Sequence, residues 1–245
     1  MNSIITIALT ISALTLTLFS SADCRESENS RTKTKAILIA QKTEQKLNRF
    51  ENDIKHFEDE DKKHPPTPGG TVFIGSSTFT KWTELSKDLS EFKPINRGFG
   101  GSTIPEINHY AKRIVVKYTP SKIVFYAGTN DIAELNHKGK DIARDFQTFV
   151  NTVRTDLPNT DIYFISMSVA PCRLQWSKQY QEGNDLVKAY ISSATHLHYI
   201  DVVPAMRNSK GQLRTELFGF DSLHMNRDGY LTWIPIIRTA LKSSN

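Results

Sequence analysis

Two serines stand side by side in VFIGSSTF, residues 72–79, directly after an apolar run and a glycine. A hydroxyl is a weak nucleophile at neutral pH unless a base takes its proton, and imidazole is the usual base. That imidazole needs a carboxylate to fix its tautomer and steady its charged form. DSLH, residues 221–224, supplies both: Asp221 and His224 are three residues apart and can sit side by side in a loop entering a helix. Acyl transfer from a serine also needs donors aimed at the oxyanion that develops on the attacked carbonyl. The chain offers the nucleophile's own amide, the Gly101 amide in RGFGGS and the side chain of Asn130 in GTND. Each such donor is typically worth about 3 kcal/mol of barrier, a hundredfold or more in rate. By residue type alone, Ser76 and Ser77 fit the nucleophile's place equally.

Something must carry these residues to one point. TVFIG (71–75), KPINRGF (93–99), KIVFYAG (122–128), DIYFISM (161–167) and LHYIDV (197–202) read as five short strands. Amphipathic helices separate them. Ile104, Ile107, Ile114, Val115 and Tyr118 line one, and Ile142, Phe146, Phe149, Val150, Val153 and Leu157 another. A third spans about 174–195, and Tyr230, Trp233, Ile234, Ile237 and Leu241 line the last, with Asn226 and Asp228 suited to its start. This alternation predicts an α/β protein, a parallel sheet covered on both faces by right-handed crossovers. In such sheets ligands bind beyond the carboxyl ends of the strands. The residues found there are Ser76–Ser77, RGFGGS, GTND, SVAPCR and the loop holding FGFDSLHMNRDGY.

FIGSST, NRGFGGST, YAGTND and DSLHMNRDGY, in that order over residues 71 to about 230, resemble the four blocks of the SGNH (GDSL-type) hydrolase family. The resemblance implies a flavodoxin-like three-layer α/β/α sandwich around a five-stranded parallel sheet, with a hydrolase domain over 69–245. It also implies a serine esterase that uses no cofactor. The family's first block reads Gly-Asp-Ser, so Ser76 takes the aspartate's place and Ser77 the nucleophile's. Gly101 and Asn130 match the oxyanion residues beside the Ser77 amide, and Asp221 and His224 match the acid and base. The lead-in FENDIKHFEDEDKKHPPTPGG looks like that of a bacterial subgroup whose first block is Gly-Ser-Ser. The resemblance implies short acyl groups, acetyl first, and an exported location favours an O-acetylated glycan or a lysolipid as the substrate. Arg97, Arg173, Trp176, Phe218 and Phe220 are candidates for lining the pocket, on loop position alone.

Other classes fit less well. GFGGST lacks the spacing of a dinucleotide loop, no P-loop occurs, and neither serine sits in G-x-S-x-G. A formal net charge of +5 spread along the chain, without a basic stripe, argues against a nucleic-acid partner. The seven histidines form no metal-ligand cluster in sequence. His196 and His198 would share a face of a strand, which packing explains more simply than zinc. A non-catalytic, envelope-attached binding protein that keeps this fold is the alternative reading, opposed by the filled catalytic positions.

The N-terminus reads as an export signal. Residues 4–19 are uncharged and apolar or hydroxyl-bearing, and Ser20 and Ala22 suit cleavage after residue 22. Cys24 offers lipid attachment to a membrane, although Asp23 departs from the small residue usual before such a cysteine. Residues 25–35 are polar. From about Ala36 to Lys62, Leu47, Phe50, Ile54 and Phe57 recur at helical spacing, so 23–68 reads as a linker and an amphipathic helix packed on the following domain. HPPTPGG ends that helix. With Cys24 in a tail, Cys172 is a lone thiol, read as a small buried hydrophobe.

Overall fold

The computed structural model describes residues 32–35, 37, 38, 44, 45 and 47–243. The export signal and Cys24 lie outside the described residues. Two compact units are present, Met1–Arg49 and Phe50–Asn245. In the first, residues 32–35 are helical, although their polar sequence carries no periodicity to announce it. Among the described residues no helix is long and apolar enough to cross a membrane.

The second unit holds five strands: β1 (Thr71–Gly75), β2 (Pro94–Gly98), β3 (Lys122–Tyr126), β4 (Asp161–Ile165) and β5 (Leu197–Ile200). β1, β3 and β4 are mostly apolar runs of β-branched and aromatic residues, as expected for strands covered on both sides, whereas β2 (PINRG) carries Asn96 and Arg97. They pair in parallel in the order β2-β1-β3-β4-β5. The chain therefore steps outward from β1 to β2, then returns across β1 to form β3. That reversal opens a crevice at the carboxyl ends of β1 and β3, where ligands bind in such sheets.

Eight helices of this unit cover the sheet: α1 (Glu51–Lys63), α2 (Ser77–Thr80), α3 (Leu85–Asp88), α4 (Ile104–Ile114), α5 (Thr129–Leu135), α6 (Gly139–Asp156), α7 (Ser177–Ser192) and α8 (Arg227–Lys242). Period-two alternation divides the strands between two cores. Val72, Ile74, Ile123, Phe125, Ile162 and Phe164 face a core shared with α1 and α4 to α7. Phe73, Val124, Tyr126, Tyr163 and Ile165 face a second core shared with α2, α3 and α8. The apolar stripes read in the sequence for α4, α6 and α8 fall in these cores, with Leu157 packed partly buried against the first.

The helical pattern from Ala36 to Lys62 is continuous in sequence but crosses the boundary between units. Regular helix in the second unit begins at Glu51, after a 3-10 turn over Asn48–Phe50. Ile54 is fully buried, and Arg113 of α4 donates to both Glu51 and Glu58 of α1 (2.7 and 2.8 Å). α1 is thus part of the compact unit that carries the sheet.

Candidate active site

β1 ends at Gly75 because nothing larger fits: a Cβ there would lie 2.1 Å from the carbonyl oxygen of Tyr126. The chain then turns sharply through Ser76, and Ser77 opens α2. The Ser76 carbonyl accepts the amides of Phe79 and Thr80 at 3.0 and 3.3 Å, while its buried hydroxyl makes no capping bond. Two side chains hold this turn from outside. Asn96 of β2 donates to the Phe79 carbonyl at 2.8 Å, and Tyr230 of α8 donates to the Thr78 carbonyl at 2.9 Å.

His224 reaches Ser77 across 147 residues of sequence, its Nε2 lying 2.8 Å from the Ser77 Oγ. The other ring nitrogen, Nδ1, is 2.6 Å from Oδ2 of Asp221. Oδ1 of Asp221 accepts the amides of Leu223 and His224 at 3.0 and 2.9 Å. The imidazole bond first, then these two amides, hold the Asp221 carboxyl well below the usual carboxylate range. Hydrogen bonding does this rather than burial, since the side chain is half exposed. The line from carboxylate to imidazole to hydroxyl is continuous, so a proton can leave Ser77 for a ring whose orientation is fixed.

The loop after β2 runs beside the serine. A Cβ at Gly100 would stand 3.9 Å from the Ser77 Cβ, and Gly101 turns the chain at a φ of +80. Phe99 N and Ser102 Oγ both donate to the Gly75 carbonyl, at 3.0 and 3.3 Å, tying the loop to the end of β1. Gly128, at a φ of +111, turns β3 into α5, so GTND starts a helix rather than an open loop. Buried Asn130 donates one amide hydrogen to the Ser102 carbonyl at 3.1 Å, leaving its second for a ligand. Ser77, Asn130, Arg173, Phe218 and His224 line one cleft, with about 450 Å³ of empty space including its mouth.

The model of the GDSL-like lipase and acylhydrolase family matches residues 69–231. The chain belongs to that family. It is a carboxylic ester hydrolase. Solved structures with the same fold include an assigned acylhydrolase from Bacteroides fragilis (20% identity, TM-score 0.66, 81% of this chain and 96% of that one). A GDSL-like lipase from Bacteroides thetaiotaomicron is 18% identical (TM-score 0.65, 78% and 98%). A family 3 carbohydrate esterase from Talaromyces cellulolyticus is 15% identical (TM-score 0.60, 71% and 97%). At these identities the likeness is one of fold. No curated protein matches the chain.

Of the residues expected to line the hydrolase's pocket, Arg173 and Phe218 do so, and Arg97, Trp176 and Phe220 do not. Arg97 lies on β2, where alternation turns it toward α1. There it pairs with Asp61, donates to the Tyr118 hydroxyl and sits between the rings of Phe57 and Tyr118. Trp176 ends a 3-10 turn, Pro171–Trp176, and packs half-buried against the core around α7. Phe220 is fully exposed in the loop before Asp221. Cys172, expected to be buried, is exposed, because its turn lies at the surface with its amide donating to the Ser222 carbonyl at 3.0 Å.

The hydrolase's cleft also uses residues that the sequence presents only as core. Tyr126 is one, and its place at the end of β3 was the available cue. Trp233 is another, beside Met206, which no sequence pattern singles out; both are buried, with the indole Nε1 3.2 Å from the Met206 sulfur. His196 and His198 both contact Oδ1 of Asp161, at 3.1 and 3.0 Å, with His196 preceding β5 at a positive φ. Among the described residues, Asp131, His137 and Asp145 have ligand atoms close enough to hold one metal ion. Sequence gave no histidine cluster to suggest this group, whose members come from separate elements and stand off the cleft.

Proposed function

We propose that this hydrolase is an exported serine esterase that removes short acyl groups, acetyl first, with an O-acetylated glycan as the favoured substrate class. In this reading Ser77 attacks the acyl carbonyl while His224 takes its proton and Asp221 steadies the imidazolium. The amides of Ser77 and Gly101 and the side chain of Asn130 hold the tetrahedral oxyanion. His224 then protonates the leaving alcohol, and water repeats the sequence to free the acid.

What carries the reading is the pair of short contacts at His224, 2.6 Å to Asp221 and 2.8 Å to Ser77, at the wall of a cleft. A cleft closed by buried Met206 and Trp233 suits a small acyl group better than a long chain. The likeness in fold to a family 3 carbohydrate esterase favours a glycan over a lysolipid. Export, with cleavage after residue 22 or attachment through Cys24, rests on the N-terminal sequence.

Steady-state hydrolysis of p-nitrophenyl esters of rising chain length tests the proposal. Acetate should be the best substrate, Ser77→Ala should abolish turnover, and Ser76→Ala should keep most of it. No turnover by the parent chain would favour a binding protein that retains the fold. A profile that improves up to octanoate would move the substrate class to lipids.

A further inference from the structure

Away from the cleft, two buried carboxylates and a partly buried imidazole bring together polar atoms that have no hydrogen-bond partner. Asp131 of α5 is fully buried; its Oδ1 accepts the Ile104 amide at 2.9 Å, while Oδ2 has no hydrogen-bond partner. Asp145 of α6 is 8% exposed; its Oδ1 accepts from Arg144 Nε at 2.9 Å, and Oδ2 again has no hydrogen-bond partner. His137, in the turn between these helices, holds its amide on the Asp131 carbonyl at 3.1 Å and leaves Nδ1 buried without a partner. One ligand atom from each residue lies within 4.8 Å of the others, and His137 Nδ1 is 3.6 Å from Asp145 Oδ2.

Buried polar atoms are almost always paired, so several unpaired ones in one place call for an explanation. A shared proton would draw two of them to hydrogen-bond distance, about 2.6–3.0 Å. The observed 3.6 Å is instead near the roughly 3.4 Å that separates ligands around a tetrahedral ion with bonds of about 2.0–2.2 Å. In each carboxylate one oxygen is already anchored by the protein, which leaves the other as a fixed ligand.

We propose that Asp131, His137 and Asp145 bind one divalent transition-metal ion, with zinc the best fit to one imidazole and two carboxylates. Asn108 of α4 supplies a candidate fourth donor: its Oδ1 is buried and unpartnered, while its amide donates to the Asp145 carbonyl at 2.9 Å. The ion would be structural. None of the three ligands lines the cleft, but Asp131 directly follows Asn130, so the ion would pin α5, and with it that amide, against α4 and α6.

The test uses the full, tag-free chain, stripped with EDTA and titrated with zinc chloride by calorimetry and thermal melting. The expected result is one ion per chain and a rise in melting temperature. His137→Gln and Asp145→Asn should each weaken binding by at least about tenfold, as loss of a ligand should cost no less than loss of an outer-shell partner. No binding by the stripped chain, or equal binding by both variants, would overturn the site. Should either variant fail to fold, anomalous diffraction at the zinc edge from crystals of the parent protein decides. A peak between the three side chains supports the assignment, and a peak only at His224 or elsewhere refutes it.

Discussion

Asp221→Asn is the sharpest test of how the imidazole is oriented. The amide keeps an oxygen where Oδ1 now accepts the Leu223 and His224 amides, so the loop should hold its shape. At Oδ2, however, 2.6 Å from Nδ1, an acceptor becomes a donor. Nδ1 must then accept, the ring proton moves to Nε2, and Nε2 faces the Ser77 hydroxyl 2.8 Å away as a donor. The base is lost without any atom having moved far. The same exchange in a serine-protease triad lowers kcat about ten-thousandfold, equivalent to about 5 kcal/mol of barrier. We expect a loss of that order in kcat on p-nitrophenyl acetate, with KM little changed. Because hydrogen bonds hold Asp221 well below the usual range, it stays ionised at pH 6, and the defect should be no smaller there than at pH 8. Stability should move by less than about 1 kcal/mol, since the residue is half exposed and its backbone contacts persist. A folded variant that keeps more than about a tenth of the parent kcat would refute the reasoning.

Asn130→Ala should lower kcat by about a hundredfold to a thousandfold, measured on the same ester, as removal of one oxyanion donor does elsewhere. Ile54→Ala should cost about 2–5 kcal/mol in urea unfolding, the range for a buried Ile or Leu cut to Ala, if α1 belongs to the main core; a change below about 0.5 kcal/mol would mark α1 as an appendage. Asp88 accepts from Arg227 and from Trp82 Nε1, and these bonds, Arg227 first, lower its carboxyl from the ordinary value. A carboxyl lowered on folding adds stability above its unfolded value, near 3.9, and loses it as pH falls through the lower folded value. Asp88→Asn should therefore be less stable than the parent at pH 7 by urea titration, and the gap should narrow by pH 2–3.

Much of this architecture was legible because burial on both faces leaves a plain record. The central strands β1, β3 and β4 are short apolar runs, and the observed limits of β1 match TVFIG residue for residue. Site residues placed by backbone position, Ser77 after β1 and Asn130 after β3, also stand where strand order predicts. The pocket walls were less legible because loop position does not say which way a side chain points. Arg97 sits one residue from the end of β2, yet alternation sends it to the α1 side, where Asp61 waits. Trp233 reads as core from its spacing and is core, but the same ring also lines the cleft. The cluster of Asp131, His137 and Asp145 had no pattern to read, because two elements and a turn meet there only in the fold.

The position of His224 depends on backbone bonds more than on packing. Its carbonyl accepts the Gly219 amide at 2.8 Å, the Ser222 carbonyl accepts the Cys172 amide at 3.0 Å, and Ser222 itself sits at a φ of +53. Two residues on, Asn226 caps α8 through Oδ1 to the Gly229 amide at 3.1 Å and donates to the Glu216 carbonyl at 2.7 Å. α8 in turn holds the serine's turn through Tyr230 and Thr78. One helix thus anchors both partners, the imidazole loop at its start and the turn that presents Ser77 one helical turn further along. Registration between hydroxyl and ring is then a property of α8 rather than of either loop, so loosening the cap at Asn226 should reduce turnover by more than it reduces stability.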